Sequence, residues 1–149
     1  MIQTMNDEKF MRLAIKEAKS SEGKHKTAYG VVIVKNNEVI SSACNIAKKT
    51  NDPTAHAEII AIRKACEKLN SRDLSSCVVY STCEPCPMCF SALFWAKISK
   101  IVYGISISDL INLNRRQINV SCDFLNKNSN SKIEIVGGFL KEECFELFK

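Results

Sequence analysis

Short apolar runs of strand length alternate along this chain with longer segments whose apolar residues recur at helical spacing. The strand-type runs are 29–34, 39–43, 78–81, 101–104 and 133–136, and the helix-type segments are 7–20, about 55–69, 86–96 and 140–148. Strands that alternate with helices favour a layered α/β fold built on one sheet. The Asn36-Asn37 pair predicts a turn that joins the first two strands as a hairpin at one side of that sheet.

One long connection has neither pattern. Residues 106–130 are rich in Asn and Ser, and they predict neither a helix nor a strand. Function is often concentrated in long irregular connections. We therefore expect this segment to line the mouth of a pocket or to form a subunit contact.

The composition is that of one globular domain, 1–149, with 46% hydrophobic and 25% charged residues. No basic start is followed by an apolar run, and no run approaches the ~20 residues that span a bilayer. These features predict a cytoplasmic protein without a membrane partner. Cys66 and Cys77 lie in apolar segments and are expected as core residues of a reduced protein. The net charge of +5 permits a nucleic-acid partner without requiring one.

Two short motifs carry metal-binding residue types. His56-Ala57-Glu58 follows the helix-start signal Asp52-Pro53-Thr54, and Pro85-Cys86-Pro87-Met88-Cys89 opens another predicted helix. Cys86 and Cys89 are three residues apart, so both sulfurs can face the same way. Two helix starts at one edge of a sheet can direct His56, Cys86 and Cys89 to one ion, and two thiolates with an imidazole suit Zn²⁺.

The number of ligands separates a structural zinc site from a catalytic one. Three protein ligands leave a position open for water, which is the catalytic pattern. Cys83 is an alternative fourth ligand, but it ends the preceding strand and its side chain need not face the metal. Glu58 lies in the same helical turn as His56, close enough to take a proton from an activated water and deliver it to a substrate.

The His-x-Glu motif followed by Pro-Cys-x-x-Cys resembles the signature of the zinc-dependent cytidine/deoxycytidylate deaminase superfamily, in which the Glu is the acid/base and not a ligand. The resemblance runs from about Phe10 to Gly104 and is closest to bacterial guanine deaminases and nucleoside deaminases. It implies a three-layer α/β/α fold with a five-stranded mixed sheet, a homodimer, and zinc-dependent hydrolysis that releases ammonia. The preferred substrate is a purine-type nucleobase or nucleoside, guanine-like.

The resemblance also suggests substrate contacts. Asn45 occupies the position of an Asn that hydrogen-bonds the base, and an amide offers both a donor and an acceptor. Tyr29 and Trp95 match aromatic positions that could flank a flat ring. Tyr29 also fits a strand core position, Trp95 a helix core position, and Asn45 a simple turn.

Three other functions remain open from the sequence. Guanine deaminases carry an additional Asp after the zinc cysteines, whereas residues 113–117 here contain no acid. A tRNA wobble adenosine-to-inosine deaminase shares the Asp-Pro-Thr-Ala-His-Ala-Glu motif and would need a basic surface for the phosphates. Lysines and arginines that could form one are Lys24, Lys26, Lys48, Lys49, Arg115 and Arg116. The other two alternatives are a cytosine or cytidine deaminase and a non-catalytic zinc-stabilised binding module.

Overall fold

The computed structural model describes residues 2–21, 23–130 and 132–149. Its helices are α1 (Ile2–Lys19), α2 (Ala47–Thr50), α3 (Ala57–Leu69), α4 (Pro87–Trp95), α5 (Ile107–Asn112), α6 (Cys122–Lys127) and α7 (Lys141–Phe145). Its strands are β1 (Gly30–Lys35), β2 (Glu38–Cys44), β3 (Cys77–Cys83), β4 (Lys100–Ile105) and β5 (Glu134–Val136). Single 3-10 turns occur at Gly23–His25 and Glu146–Phe148.

The five strands form one mixed sheet in the order β2-β1-β3-β4-β5. Strand β1 is antiparallel to both of its neighbours, while β3, β4 and β5 are parallel. The turn at Asn36 and Asn37, both at positive φ, closes the predicted hairpin. Because β2 and β3 run in the same direction beside β1, the helices that follow them begin at the same edge of the sheet.

Helices cover both faces of the sheet, and β1 shows why. Val31 and Ile33 point into a core formed with α3 and α4, whereas Val32 and Val34 point into a core formed with α1 and α7. Alternate residues of a strand face opposite sides, so a run that is apolar throughout needs cover on both. The predicted three-layer α/β/α fold with a five-stranded mixed sheet is confirmed.

Helix α1 packs very close to β1 on one face. At Gly30, a Cβ would collide with the carbonyl oxygen of Ala14, so only glycine permits this approach. Helix α1 begins at Ile2, several residues before the predicted start. Among the described residues, no helix is long and apolar enough to cross a membrane.

Helix α3 packs against the sheet through its small residues. Ala57, Ala61 and Ala65 are its fully buried apolar residues, because small side chains let the helix lie close to the sheet. Larger apolar residues at helical spacing on α3 are only half-buried: Ile59, Ile62, Cys66 and Leu69. Helix α3 therefore keeps a partly exposed apolar face beside α4.

The segment 106–130 is more ordered than its sequence pattern predicts. It contains α5 and α6, each six residues long. Ser106 caps α5 and Ser121 caps α6 by accepting hydrogen bonds from backbone N–H groups in the first turn. The sequence pattern assigned no element to this segment because two helices this short give little periodic signal.

Candidate active site

The two sequence motifs meet at the sheet edge where α3 and α4 begin. His56 is the N-cap of α3, and Cys86 is the N-cap of α4 with Pro87 in the first helical position. Both caps have extended backbone, and proline is favoured just after such a cap because its fixed φ suits a helix start. Local sequence thus sets where each helix begins and aims the caps at one point.

Three donor atoms converge there. The Nδ1 atom of His56 lies 3.6 Å from the Sγ atoms of both Cys86 and Cys89. All three donor atoms lie within 4.8 Å of one another. Tetrahedral Zn²⁺ with bonds near 2.0–2.3 Å separates N and S ligands by about 3.6 Å. The donor set and its spacing therefore fit zinc.

Cys83 does not belong to this cluster. Its thiol is fully buried and packs in the core on the α1 side of the sheet. Burial raises the pKa of Cys83 well above its ordinary value, and its Sγ lies 3.9 Å from the Thr82 hydroxyl. Within the part of the chain that the structure describes, the metal-type cluster has three protein donors, which leaves a tetrahedral ion one open position.

The electrostatics of the site favour a thiolate at Cys86, whereas the hydrogen bond with Cys86 and burial raise the pKa of Cys89. Hydrogen bonding from Cys89 lowers the pKa of Cys86 to about 4, against the effect of burial and with help from His56. The hydrogen bond with Cys86 in turn raises the pKa of His56. The helix N-terminus adds partial positive charge beside the sulfurs. At neutral pH the site therefore already contains a thiolate.

Glu58 lies beside the cluster in the same cavity. It is only 6% exposed, and burial raises the pKa of its carboxyl group above the ordinary value. Its Oε1 lies 3.1 Å from the Ser81 hydroxyl oxygen, which is also 2.6 Å from the Cys83 carbonyl. A carboxyl group held here can exchange a proton at pH values where an exposed glutamate stays ionised.

The cavity around these groups has a volume of 140 Å³. Its walls include Tyr29, Asn45, Glu84, Arg116 and Gln117. The last two lie just after α5, so the segment 106–130 does line the pocket, as the sequence predicts. Gln117 lies in the stretch 113–117, where the family resemblance places the additional Asp of guanine deaminases, and here this residue lines the pocket.

The structure brings Tyr29 and Asn45 to the pocket, but the side-chain oxygen of Asn45 already has a hydrogen-bond partner. The Oδ1 of Asn45 accepts a hydrogen bond of 2.9 Å from the Ala47 backbone N–H, which fixes the loop before α2. The amide NH₂ is the group of Asn45 that remains available to donate to a ligand in the cavity. Tyr29 is half-buried, and burial raises its pKa to about 12, so the phenol stays protonated at neutral pH. Both walls therefore offer hydrogen-bond donors.

Trp95 does not lie in the pocket, contrary to the prediction. It is the last residue of α4, and roughly 13 Å of helix separates it from Cys86 at 1.5 Å per residue. Its side chain is 78% exposed. Within one chain it cannot flank a base held at the candidate metal centre.

Glu84 is a structural element of the site that the sequence did not reveal. The carboxylate is buried and accepts a 2.8 Å hydrogen bond from Ile107 N–H and a 2.7 Å bond from Cys122 N–H. It thereby ties the first turns of α5 and α6 to the loop that carries Cys86. Its partners lie 23 and 38 residues away in sequence, so no local pattern could identify them.

The site has a His-Cys-Cys cluster where α3 and α4 begin, and a buried glutamate in the first turn of α3. On a mixed five-stranded sheet, this combination defines a zinc hydrolase site. Residues 4–105 match the cytidine and deoxycytidylate deaminase zinc-binding region, and the chain belongs to that family. Members of the family are zinc-dependent hydrolytic enzymes, and this chain is an aminohydrolase of that class.

The known proteins to which this chain is similar are named for different substrates. The chain is 43% identical over 100 residues to the tRNA-specific adenosine deaminase of Aquifex aeolicus, covering 67% of this chain and 66% of that protein. It is 42% identical over 108 residues to the guanine deaminase of Bacillus subtilis, covering 70% and 68%. A solved tRNA:A34 deaminase superposes with a TM-score of 0.80 at 30% identity, covering 94% of this chain and 99% of the other.

Proposed function

We propose that the protein hydrolyses the exocyclic amine of a purine-type base, guanine-like in the first instance, and releases ammonia. The observation that carries the proposal is the buried Glu58 carboxyl group in one small cavity with His56 and Cys86, which together with Cys89 form the cluster of metal-type donors. The donors of Tyr29 and Asn45 suit a ring that presents nitrogen or carbonyl acceptors. The absent acid in residues 113–117 is a departure from guanine deaminases, so the base itself has to be tested.

In the proposed mechanism, His56 Nδ1 and the sulfurs of Cys86 and Cys89 would hold a zinc ion. Zinc bound in such a site would lower the pKa of water and so supply a nucleophile at neutral pH. Glu58 would carry one proton of the attacking water to a ring nitrogen and then the second proton to the departing amine, which leaves as ammonia. The Asn45 amide orients the ring. The overall reaction consumes one water, converts the C–NH₂ group of the base to a C=O group, and releases ammonia.

A tRNA adenosine is the second candidate substrate. The solved tRNA:A34 deaminase aligns over almost the whole of both chains, and basic residues line a neighbouring cavity that shares Tyr29 and Asn45 with the active-site pocket. An ammonia-release assay over guanine, guanosine, adenine, adenosine, cytosine, cytidine and a tRNA anticodon stem-loop distinguishes the candidates. Release from guanine or guanosine supports the first proposal, release from the stem-loop alone supports the second, and release from cytosine or cytidine overturns both. No release by zinc-loaded protein points to the binding-module alternative.

We also propose that the protein is a homodimer through the surface around Trp95. A mostly exposed tryptophan is unusual on a monomer and indicates a contact surface. It borders a groove with an apolar part formed by Ile62, Cys66, Ala92 and Ala96, next to the partly exposed apolar face of α3. Polar and charged residues complete the lining of this groove: Ser71, Arg72, Asp73 and Lys97. The family resemblance supports a second copy as the occupant.

A further inference from the structure

We propose that a second groove beside the active site binds the phosphate of a nucleotide whose base occupies the zinc pocket. This inference rests on the proposed function and specifies its substrate class. The basic groove, as we call it, is lined by His25, Lys26, Lys48, Arg115, Phe148 and Lys149, together with Tyr29 and Asn45. Its volume is 400 Å³.

The basic groove is continuous with the active-site cavity. Tyr29 and Asn45 line both of them. A base placed against these two residues would therefore leave its sugar and phosphate directed toward the groove. A free nucleobase would occupy the inner cavity alone.

The charge of the groove is of one sign. Four of its lining residues are lysine or arginine, and none is acidic. Among the described residues, no carboxylate forms an ion pair with Lys26, Lys48 or Arg115. Lys149 is the exception, because its Nζ lies 2.8 Å from Glu146. Unpaired cations in a concave surface focus a positive potential on an incoming anion.

Arg115 is positioned rather than free. Its guanidinium lies 5.0 Å from the ring centre of Phe148, and that ring meets Tyr29 edge-on at 6.1 Å. A guanidinium stacked in this way keeps its N–H groups available and loses less side-chain freedom when it binds phosphate. The C-terminal 3-10 turn thereby links the groove to a wall of the catalytic pocket.

The test compares each nucleoside with its monophosphate. Affinities of guanosine, GMP, adenosine, AMP and an anticodon stem-loop are measured by calorimetry on the Glu58→Gln protein, which preserves bound substrate. We expect the monophosphate or the stem-loop to bind more tightly than the nucleoside. In Lys48→Ala/Arg115→Ala, that preference should fall by about tenfold or more, since hydrogen bonds to charged groups are the strong ones.

The matched control is Lys16→Ala/Arg63→Ala, which removes the same charge from exposed positions outside the groove. An equal loss in both double variants, or no preference for phosphate in the parent, overturns the inference. Arg115→Lys keeps the charge and should retain part of the preference. Melting temperatures show whether each variant folds.

Salt dependence identifies the source of the phosphate. For single-stranded RNA, the slope of log K against log salt is about −0.7 for each phosphate contacted. A steep slope that the double variant reduces assigns the groove to RNA, and a selective loss of GMP or AMP binding assigns it to a free nucleotide. Because binding is measured without turnover, a protein that deaminates nothing but keeps this preference contradicts the proposed function and not the groove.

Discussion

The surroundings of Glu58 determine the chemistry available to this site. The carboxyl group is buried, its pKa is raised by that burial, and the Ser81 hydroxyl contacts it. Ser81 is closer to the Cys83 carbonyl and can donate there while its oxygen accepts from a protonated Glu58. A hydroxyl that can either donate or accept suits a carboxyl group that changes protonation during turnover.

Glu58→Gln should retain zinc and fold while kcat falls by about 10²–10⁴-fold, because a positioned general acid/base contributes roughly that factor. Stability should not decrease, since an amide is easier to bury than a carboxylate. The assay pairs kcat with metal content and melting temperature. Glu67→Gln is the control, because Glu67 is an exposed glutamate of the same helix. Full turnover in Glu58→Gln would contradict the assigned role.

Cys86→Ala or Cys89→Ala should remove the zinc and lower the melting temperature, because metal binding is coupled to folding. A chelator should lower the melting temperature of the parent protein and leave these variants unaffected. Cys66→Ala, at a half-buried position outside the cluster, should keep its metal and its response to chelator. Unchanged zinc content in Cys86→Ala and Cys89→Ala would show that the ligands are assigned wrongly.

At the scale of elements, the pocket depends on how two short helices are attached to the sheet. Arg116 and Gln117 lie between α5 and α6, and the Glu84 carboxylate holds the first turns of both helices. The same loop that carries Cys86 thus positions the opposite wall of the pocket. Glu84 acts on the substrate site through these helices, as a positioning residue.

Glu84→Gln should raise KM more than it lowers kcat. An amide can accept only one of the two hydrogen bonds, so Ile107 N–H or Cys122 N–H loses its partner at a cost of about 1–3 kcal/mol. Hydrogen exchange should accelerate at these two amides, while zinc content stays constant. Glu134→Gln, at an exposed edge-strand position, is the control. Unaltered KM and exchange in Glu84→Gln would exclude the positioning role.

The cap of α5 gives the protein an acid-sensitive contact. Partial burial acts to raise the pKa of the Asp109 carboxyl group. Hydrogen bonds from Ser106 and the ion pair with Lys141 outweigh this effect, and the pKa of Asp109 is lowered overall. A carboxyl group whose pKa is lower in the folded state stabilises above its unfolded pKa and loses that contribution as pH falls through the folded value.

Asp109→Asn should therefore decrease the free energy of unfolding at pH 7 by about 1 kcal/mol or less, the range of helix-cap substitutions. The difference from the parent should shrink below about pH 4, where carboxyl groups become protonated. Urea unfolding of both proteins at several pH values measures this difference in the free energy of unfolding. Asp123→Asn provides a control at an exposed acid in the first turn of α6. A pH-independent difference would contradict the linkage.

What the sequence could predict follows from the range of each interaction. Strands, long helices and the two motifs are local patterns, and they placed β1 to β5 and the cluster of His56, Cys86 and Cys89 correctly in the fold. The roles of Glu84 and Ser81 depend on distant partners, and the side of Asn45 that faces the pocket depends on a loop hydrogen bond. Trp95 was misplaced because helix length, not motif similarity, sets its distance from the metal centre.

At the scale of the whole molecule, the two faces of the layered fold differ in how completely they are covered. On the α1 side, Phe10, Met11 and Ala14 are buried. On the other side, α3 and α4 bury their small residues against the sheet and leave Ile62, Cys66 and Trp95 partly or largely exposed. That difference supports the proposed homodimer, which would remove this apolar surface from water.

Trp95 is the sole tryptophan of the chain, so its fluorescence reports directly on this surface. If a second copy covers it, the emission should shift to the blue as protein concentration rises, in step with the mass measured by analytical ultracentrifugation. Replacing Trp95 by Phe removes the signal, and Trp95→Ala should weaken the dimer by about 30-fold or more, because central aromatic residues commonly contribute 2 kcal/mol or more to an interface.

Met5→Ala is the matched control for this surface, since Met5 is 68% exposed on α1, across the sheet from α4. It should dimerise like the parent. A monomeric parent at high concentration, with emission independent of concentration, would exclude the dimer. A dimer that forms equally well in Trp95→Ala would place the interface elsewhere. Because Trp95 lies far from the metal centre along α4, the monomeric variant should still bind zinc, which separates assembly from the integrity of the site.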